Sequence, residues 1–250
     1  MFTGSNSYFC IKHTLMQVFY APGIEGRYHT LDENESKHCI RVLRMAYGSQ
    51  VKLIDGKGNL YEGFICTPDV KRCRIEITDV SEDYEKRGYR LHIAISPLKN
   101  TDRFEWFVEK SVEIGIDEIT PIICKNTEKQ SLKQERIENI IISAMKQSLK
   151  ARKPVLNPAA MFSEFISRNH AGTKMLAHCY SDLKRSSINE LYTRGSDALI
   201  MIGPEGDFSI EEAQAALKYG FSHIHMGPAR LRTETAGLAA CHSVYFVNLT

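Results

Sequence analysis

At 250 residues the chain is long for one small domain and short for three. Hydrophobic residues at 43% with 25% charged exclude whole-chain disorder, collagen and low-complexity readings. Lys+Arg 32 against Asp+Glu 30 leaves a formal charge of +2, so any polyanion site must be a local patch rather than a global field. No apolar run approaches the roughly 18 residues of a membrane helix, which predicts a soluble chain with no membrane partner.

Residues 1–15, MFTGSNSYFCIKHTL, lack the basic start and long apolar stretch of a signal peptide. Met16 stands directly before a strand pattern, QVFYAP, so either Met16 is the natural start or residues 1–15 are a disordered arm. Residues 16–83 then read as short strands. Val51–Ile54, Leu60–Cys66 and Cys73–Val80 are β-rich, and Asp55-Gly56-Lys57-Gly58-Asn59 joins the first two as a hairpin turn. A helical insert, Glu35–Leu43, follows a cap candidate at Asp32 or Asn34. This many short strands predicts a small β-barrel. Ser81–Arg90 is charged and poor in aliphatics, and 84–90 is the predicted linker.

From 91 to 250 the rhythm changes to strand–helix alternation. Leu91–Ser96, Glu118–Ile123, Lys174–His178, Ala198–Ile202 and Ser222–Met226 are the strands. Thr101–Ile114 places Phe104, Phe107, Val108, Ser111 and Val112 on one helical face and stops at Gly115. Leu132–Leu149 stripes Ile137, Ile140, Ile141, Ala144 and Met145. Ser209 with Glu212 makes a capping box for a helix ending at Gly220. Thr235–Phe246 carries Ala236, Ala239, Ala240 and Ser243 as a small-residue face. Such alternation predicts an α/β domain with a parallel sheet and helices on both faces. Ligands of such sheets sit beyond the carboxyl ends of the strands. The seven cysteines form no CxxC and fall partly in apolar runs, the pattern of reduced cytoplasmic thiols. No metal site is expected: no spacing suits zinc, and His223 with His225 reads as packing.

Two strand ends carry unusual loops. Ile202-Gly203-Pro204-Glu205-Gly206-Asp207-Phe208-Ser209 follows ALIM, and its glycines let the backbone turn sharply with amides exposed. No Gly-Lys-Ser/Thr follows and no GxGxxG is present, which disfavours nucleotide-phosphate binding. Met226-Gly227-Pro228-Ala229-Arg230-Leu231-Arg232-Thr233-Glu234-Thr235-Ala236 follows SHIHM and runs from a Gly-Pro turn through two arginines into a helix start. Each loop alone is equally an ordinary β-to-α turn. Together they predict a walled pocket of backbone donors and acceptors for a planar, polar, uncharged group such as adenine.

The pair MIGPEGDFS and MGPARLRTETA resembles the signature of the SPOUT class of methyltransferases, and within it the RsmE type. Supporting matches are His38-Cys39-Ile40-Arg41-Val42-Leu43-Arg44 with Gly48, Glu109-Lys110-Ser111-Val112-Glu113-Ile114-Gly115-Ile116, and Gln147-Ser148; together they cover about Met16 to the C-terminus. The resemblance implies a PUA-like β-barrel followed by a SPOUT α/β domain whose C-terminal chain forms a trefoil knot around S-adenosylmethionine. It implies methylation of N3 of a uridine in 16S ribosomal RNA of the small subunit, and a homodimer through the SPOUT domain. Cofactor contacts are then expected at Ile202, Gly203, Pro204, Glu205, Gly206, Met226, Gly227, Leu231, Arg232, Thr235 and Ala236.

Departures from the family are Asp207, where members usually carry a second glycine, Val18-Phe19 in place of an early Arg-Phe pair, and Lys146 and Lys150 around Gln147-Ser148. Asp207 either alters the loop or places a carboxylate near the pocket. The reaction needs a group that removes or polarises the uracil N3 proton. Arg232 is the candidate stabiliser of charge on the uracil carbonyls and Glu234 the candidate proton acceptor; the competing role for Arg232 is a salt bridge to Glu234. For RNA, residues 125–153 hold eight Lys/Arg against three Glu, including Lys150 and Arg152 beside Gln147. Lys37, His38, Arg41 and Arg44 recur at helical spacing in the β domain. Phosphate contacts of this kind position RNA, while the target base and shape select it. The rival readings are 2′-O-ribose methylation on the same scaffold and a non-catalytic RNA-binding assembly factor.

Overall fold

Period-two burial builds the first unit. In the computed structural model, which describes residues 16–249, Phe19, Val51, Leu53, Ile65, Cys73 and Ile75 turn inward from neighbouring strands into one core. Residues 1–15, with the expectation of an early start or disordered arm, lie outside the described residues. The strands are β1 (Gln17–Tyr20), β2 (Tyr28–Thr30), β3 (Gln50–Ile54), β4 (Leu60–Thr67) and β5 (Arg74–Ser81). They form one sheet in the order β1-β3-β4-β5-β2, with β1 parallel to β3 and the other pairs antiparallel. The expected hairpin joins β3 to β4 with Ile54 opposite Leu60.

The helical insert differs from its expected form. It begins as α1 (Glu33–Lys37), capped by Asp32, whose carboxylate accepts Glu35 N–H. Over His38–Val42 it widens to a π turn, with Leu43 N–H bonded to His38 O at 3.0 Å. Ser36 ties this segment down by donating to Leu31 O and accepting Cys73 N–H. The wide turn ends at Arg44, whose φ of 55° is left-handed.

Contacts divide the chain into a first unit, up to Asp55 with Leu60–Ser81, and a second, Gly56–Asn59 with everything from Glu82 onward. Residues 84–90 are anchored within the second unit: Arg87 pairs with Asp117 at 2.6 Å and Glu85 with Lys150 at 2.9 Å.

The second unit alternates β6 (Leu91–Ile95), α2 (Thr101–Ile114), β7 (Glu118–Ile123), α3 (Gln134–Ser148), β8 (Val155–Leu156), β9 (Ala160–Met161), α4 (Phe162–Ser167), β10 (Thr173–Ala177), α5 (Ile188–Leu191), β11 (Ala198–Ile202), α6 (Ile210–Lys218), β12 (Ser222–Ile224) and α7 (Thr233–Leu249). Its sheet runs β12-β10-β11-β6-β7-β8, with β9 also on β7, and every pair is parallel. Strand β11 is buried along its whole length, as a strand covered on both faces must be. Leu199 and Met201 face the cluster around α4 and α6, with Phe162, Phe165, Phe208 and Phe221. The alternate residues face the opposite layer, where α2 packs with α3 and α7. The buried face of α2 is Phe104, Phe107, Val108, Ser111 and Val112, and its cap is Gly115 in the left-handed region. Among the described residues no helix is long and apolar enough to cross a membrane, and six cysteines are free thiols.

Two expectations are corrected here. On α3, Ile140 is only half-buried, while Ile137, Ile141, Ala144 and Met145 carry the packing. On α7 the buried stripe is Thr233, Glu234, Gly237, Ala240, Cys241 and Val244; of the predicted face Ala240 is part of it, while Ala236, Ala239 and Ser243 are half-buried. The helix starts two residues before the predicted Thr235, and its phase is set by Gly237, where a Cβ would stand 2.7 Å from Phe107 and 3.0 Å from Ile95. Gly237→Ala therefore sets a helix-propensity gain of about 1 kcal/mol against overpacking of two fully buried side chains at about 1–3 kcal/mol. The clash wins. The melting temperature is expected to fall by several degrees in thermal denaturation, and a rise would show that the α2–α7 contact yields freely.

Candidate functional site

The register of three strands creates the site. Ala177 of β10 stands opposite Ile202 of β11 on one side and Ile224 of β12 on the other, so three parallel strands end level. Their loops, the first turn of α7 and Arg103 of α2 enclose a cleft of about 950 Å³.

The loop after β11 is clamped from several directions. Lys99 N–H donates to Glu205 Oε1 at 3.1 Å, and Asn126 Nδ2 donates to both Gly206 O and Asp207 O at 3.1 Å. Tyr180 Oη donates to Phe208 O at 2.6 Å. Phe208 is fully buried against Phe162, and Ser209 with Glu212 makes the expected capping box for α6. At Gly203 an added Cβ would sit 3.0 Å from Phe208 N and 3.1 Å from its ring, so its glycine serves a close approach. Asp207 takes a left-handed φ of 63°, and its carboxylate accepts Phe208 N–H and Cys179 N–H, both at 2.8 Å. The carboxylates of Glu205 and Asp207 thus serve backbone amides.

The loop after β12 is open. Gly227, with φ of 98°, has nothing within 4 Å of an added Cβ. Among the described residues, the amides of Met226, Ala229, Arg230 and Leu231 donate to no protein acceptor. Ala236 N–H bonds to Arg232 O at 2.7 Å, which sets Arg232 at the helix entrance, exposed and lining the cleft. Arg232 makes no salt bridge with Glu234. The nearly buried Glu234 instead faces Arg103 Nε at 3.9 Å.

Of the expected cofactor contacts, Ile202, Gly203, Pro204, Glu205, Gly206, Met226, Gly227, Leu231, Arg232 and Ala236 line this one cleft. Thr235 does not. Because α7 begins at Thr233, the helical turn that buries Thr233 and Glu234 points Thr235 outward. The third wall, His178-Cys179-Tyr180 after β10, was absent from the sequence reading, as was Arg103. His178 is buried edge-to-face against His223 at 4.5 Å, accepts Tyr180 N–H through Nδ1, and its carbonyl accepts Arg185 Nη1. Burial, with His223 and Arg185, pushes its imidazolium down to about 4, so the ring is neutral near pH 7. A His after the strand KMLA was the available signal, but it pointed nowhere without the strand order.

The expected RNA contacts separate. Lys37, His38, Arg41 and Arg44 are all exposed on the first unit. Tyr47, 72% exposed, and Val42, 64% exposed, lie in the same segment. In the second unit Gln147 is exposed on α3, but Lys150 is paired with Glu85 and Arg152 with Asp83 at 3.2 Å, away from the cleft-forming loops. Lys125, Arg136 and Lys153 are likewise paired, with Glu211, Glu105 and Glu138. The basic run counted along 125–153 is therefore largely neutralised, chiefly by acids from other segments.

Comparison with known proteins gives one answer. Residues 85–245 match a family model described as RNA methyltransferase domain, and residues 31–78 one described as RNA methyltransferase PUA domain. The solved structure of a probable rRNA-methyltransferase from Porphyromonas gingivalis is similar at 40% identity and a TM-score of 0.87, covering 94% of this chain and 99% of that one. The structure of a ribosomal RNA small subunit methyltransferase E from Neisseria gonorrhoeae bound to S-adenosyl methionine is similar at 27% identity and a TM-score of 0.80, covering 93% and 98%. Ribosomal RNA small subunit methyltransferase E of Aquifex aeolicus is 28% identical over 227 residues, 88% of this chain and 95% of its own length.

Proposed function

This chain belongs to the RNA methyltransferase family, and on that premise we propose that it transfers a methyl group from S-adenosylmethionine to N3 of a uridine in 16S ribosomal RNA of the small subunit. The observation that carries the reading is the convergence of the loops after β10, β11 and β12 on one cleft whose open wall offers unpaired backbone amides. That wall fits the cofactor: backbone donors at Met226 and Leu231 suit the edge of an adenine, and the exposed, uncrowded Gly227 leaves room for it. When bound, the cofactor supplies a methyl group on a sulfonium, already an electrophile. The relatives named for small-subunit ribosomal RNA support the substrate, and a ribosomal substrate supports a cytoplasmic site of action. The return of α7 from the edge strand β12 to pack on α2, β6 and β11 supports the knotted path.

The protein's own residues then have two tasks. Holding the reactants in line lowers the barrier without covalent help, which the clamped loops accomplish. Making N3 nucleophilic needs a proton acceptor and a cation beside the developing charge. Arg232, exposed at the cleft with no carboxylate partner among the described residues, is placed for the charge on the uracil carbonyls. Glu234, oriented by Arg103, is the carboxylate assigned to the proton. On the first unit the cations 37–44 take phosphates, and exposed Tyr47 offers a stacking face to an unpaired base. The second unit forms a C₂ homodimer: the packed pair α2 and α7 exposes Trp106, Phe246 and Leu249.

Mass spectrometry of 16S RNA from a strain lacking this gene tests the reaction: loss of one N3-methyluridine supports it, and an unchanged RNA overturns it. Arg232→Ala is expected to slow single-turnover methyl transfer to undermethylated small subunits about 100-fold or more, while cofactor affinity changes little. A near-normal rate would remove Arg232 from the chemistry. Arg41→Ala with Arg44→Ala should weaken RNA binding and flatten its salt dependence by about two phosphate contacts. Tyr47→Ala should weaken binding with the salt slope intact, and equal slopes in all variants would reject this division. Light scattering is expected to report twice the chain mass of 28.4 kDa, and a 28.4 kDa particle at micromolar concentration rejects the dimer.

A further inference from the structure

Asp207 is the one residue of the loop after β11 with both a left-handed backbone and a side chain that leaves its own loop. A φ of 63° is costly for most residues with a Cβ. Asp tolerates it because Oδ1 accepts the N–H of the next residue, Phe208, at 2.8 Å, a local bond from a short polar side chain to the backbone. The second oxygen works at long range. Oδ2 accepts Cys179 N–H at 2.8 Å, across 28 positions of sequence, at the start of the loop after β10. Tyr180 Oη donates to Phe208 O alongside it, and Arg185 holds His178 O from the other side.

We propose that Asp207 is a positioning residue of the cofactor site, clipping the loop after β10 to the Gly-Pro-Glu-Gly loop so that two walls of the cleft keep their spacing before any ligand arrives. The proposal rests on the cofactor reading above and deepens it. Both of its oxygens are thereby engaged by backbone N–H groups. The charge makes each of these bonds stronger than a neutral one. Preorganising the loop removes an ordering cost that binding would otherwise bear. Without the clip, Cys179 N–H loses its acceptor, and the wall at 178–180 keeps Tyr180 Oη on Phe208 O, Arg185 on His178 O and the His178 contacts to β12, none of which fixes Cys179 itself.

Asp207→Gly separates backbone from clip, because glycine adopts the positive φ freely while both carboxylate bonds vanish. Two measurements read it: amide hydrogen exchange in the ligand-free protein, and calorimetric titration with S-adenosylhomocysteine. The expected result is exchange at least tenfold faster at Cys179 with Ala198–Ile202 unchanged, and a Kd five- to twentyfold weaker with RNA affinity unaltered. Asp207→Asn, which keeps one accepting oxygen for two donors, is expected to recover part of both losses. Retained protection at Cys179 in Asp207→Gly overturns the clip. Fast exchange there with an unchanged Kd overturns its link to binding. A parental protein that binds no S-adenosylhomocysteine overturns the cofactor reading instead, and the exchange data then judge the clip by themselves.

Discussion

The parallel register around β10 is the constraint on which the rest of this structure depends. With Ala177 opposite Ile202 and Ile224, three strands terminate at one level, and loops separated by tens of residues become walls of a single cleft. Parallel pairing demands crossovers, so each strand end launches a loop into a helix that must return over a face of the sheet. The cleft is a by-product of that geometry before any side chain specialises it. A slip of one residue in β10 would exchange the fully buried Met175 and Leu176 between the two faces of the sheet and move the His178 wall away from its neighbours.

Polar satisfaction then shapes the walls unequally. The loop after β11 is tied to three other segments, by the side chains of Asn126 and Tyr180 and by the backbone amides of Lys99 and Cys179, so its conformation is over-determined and it can carry a non-glycine residue at positive φ. The loop after β12 has few such ties and leaves amides open. One rigid wall and one wall with vacant donors is an arrangement suited to recognising a ligand by its edges. The packing of α7 on α2 finishes the enclosure, because the turn of helix that buries Glu234 against Arg103 also leaves Arg232 at the mouth.

Charge is the property most altered by folding. Along the chain, 125–153 looks like a basic stripe, yet Lys125, Arg136, Lys150 and Arg152 each meet a carboxylate from outside that stretch. The segment 37–47 of the first unit keeps its exposed cations beside exposed Tyr47 and Val42. An exposed cation attracts phosphate only where no neighbour has claimed it, and that depends on what folds beside it.

The local alphabet of this protein was legible in its residues. The α2 face from Phe104 to Val112, the Ser209–Glu212 cap, the 55–59 hairpin and the two Gly-Pro loops all rest on interactions within about four residues or on one repeating period, which a linear reading contains. Short elements such as β2, β8, β9 and α5 carry too few residues for a period to show. Tertiary structure alone decided the rest. The His178 wall, the Arg103–Glu234 contact, the outward turn of Thr235 and the double duty of Asp207 each depend on strand order or helix phase. Those are set by packing between segments far apart in the chain, and no local pattern records which distant partner a side chain will meet.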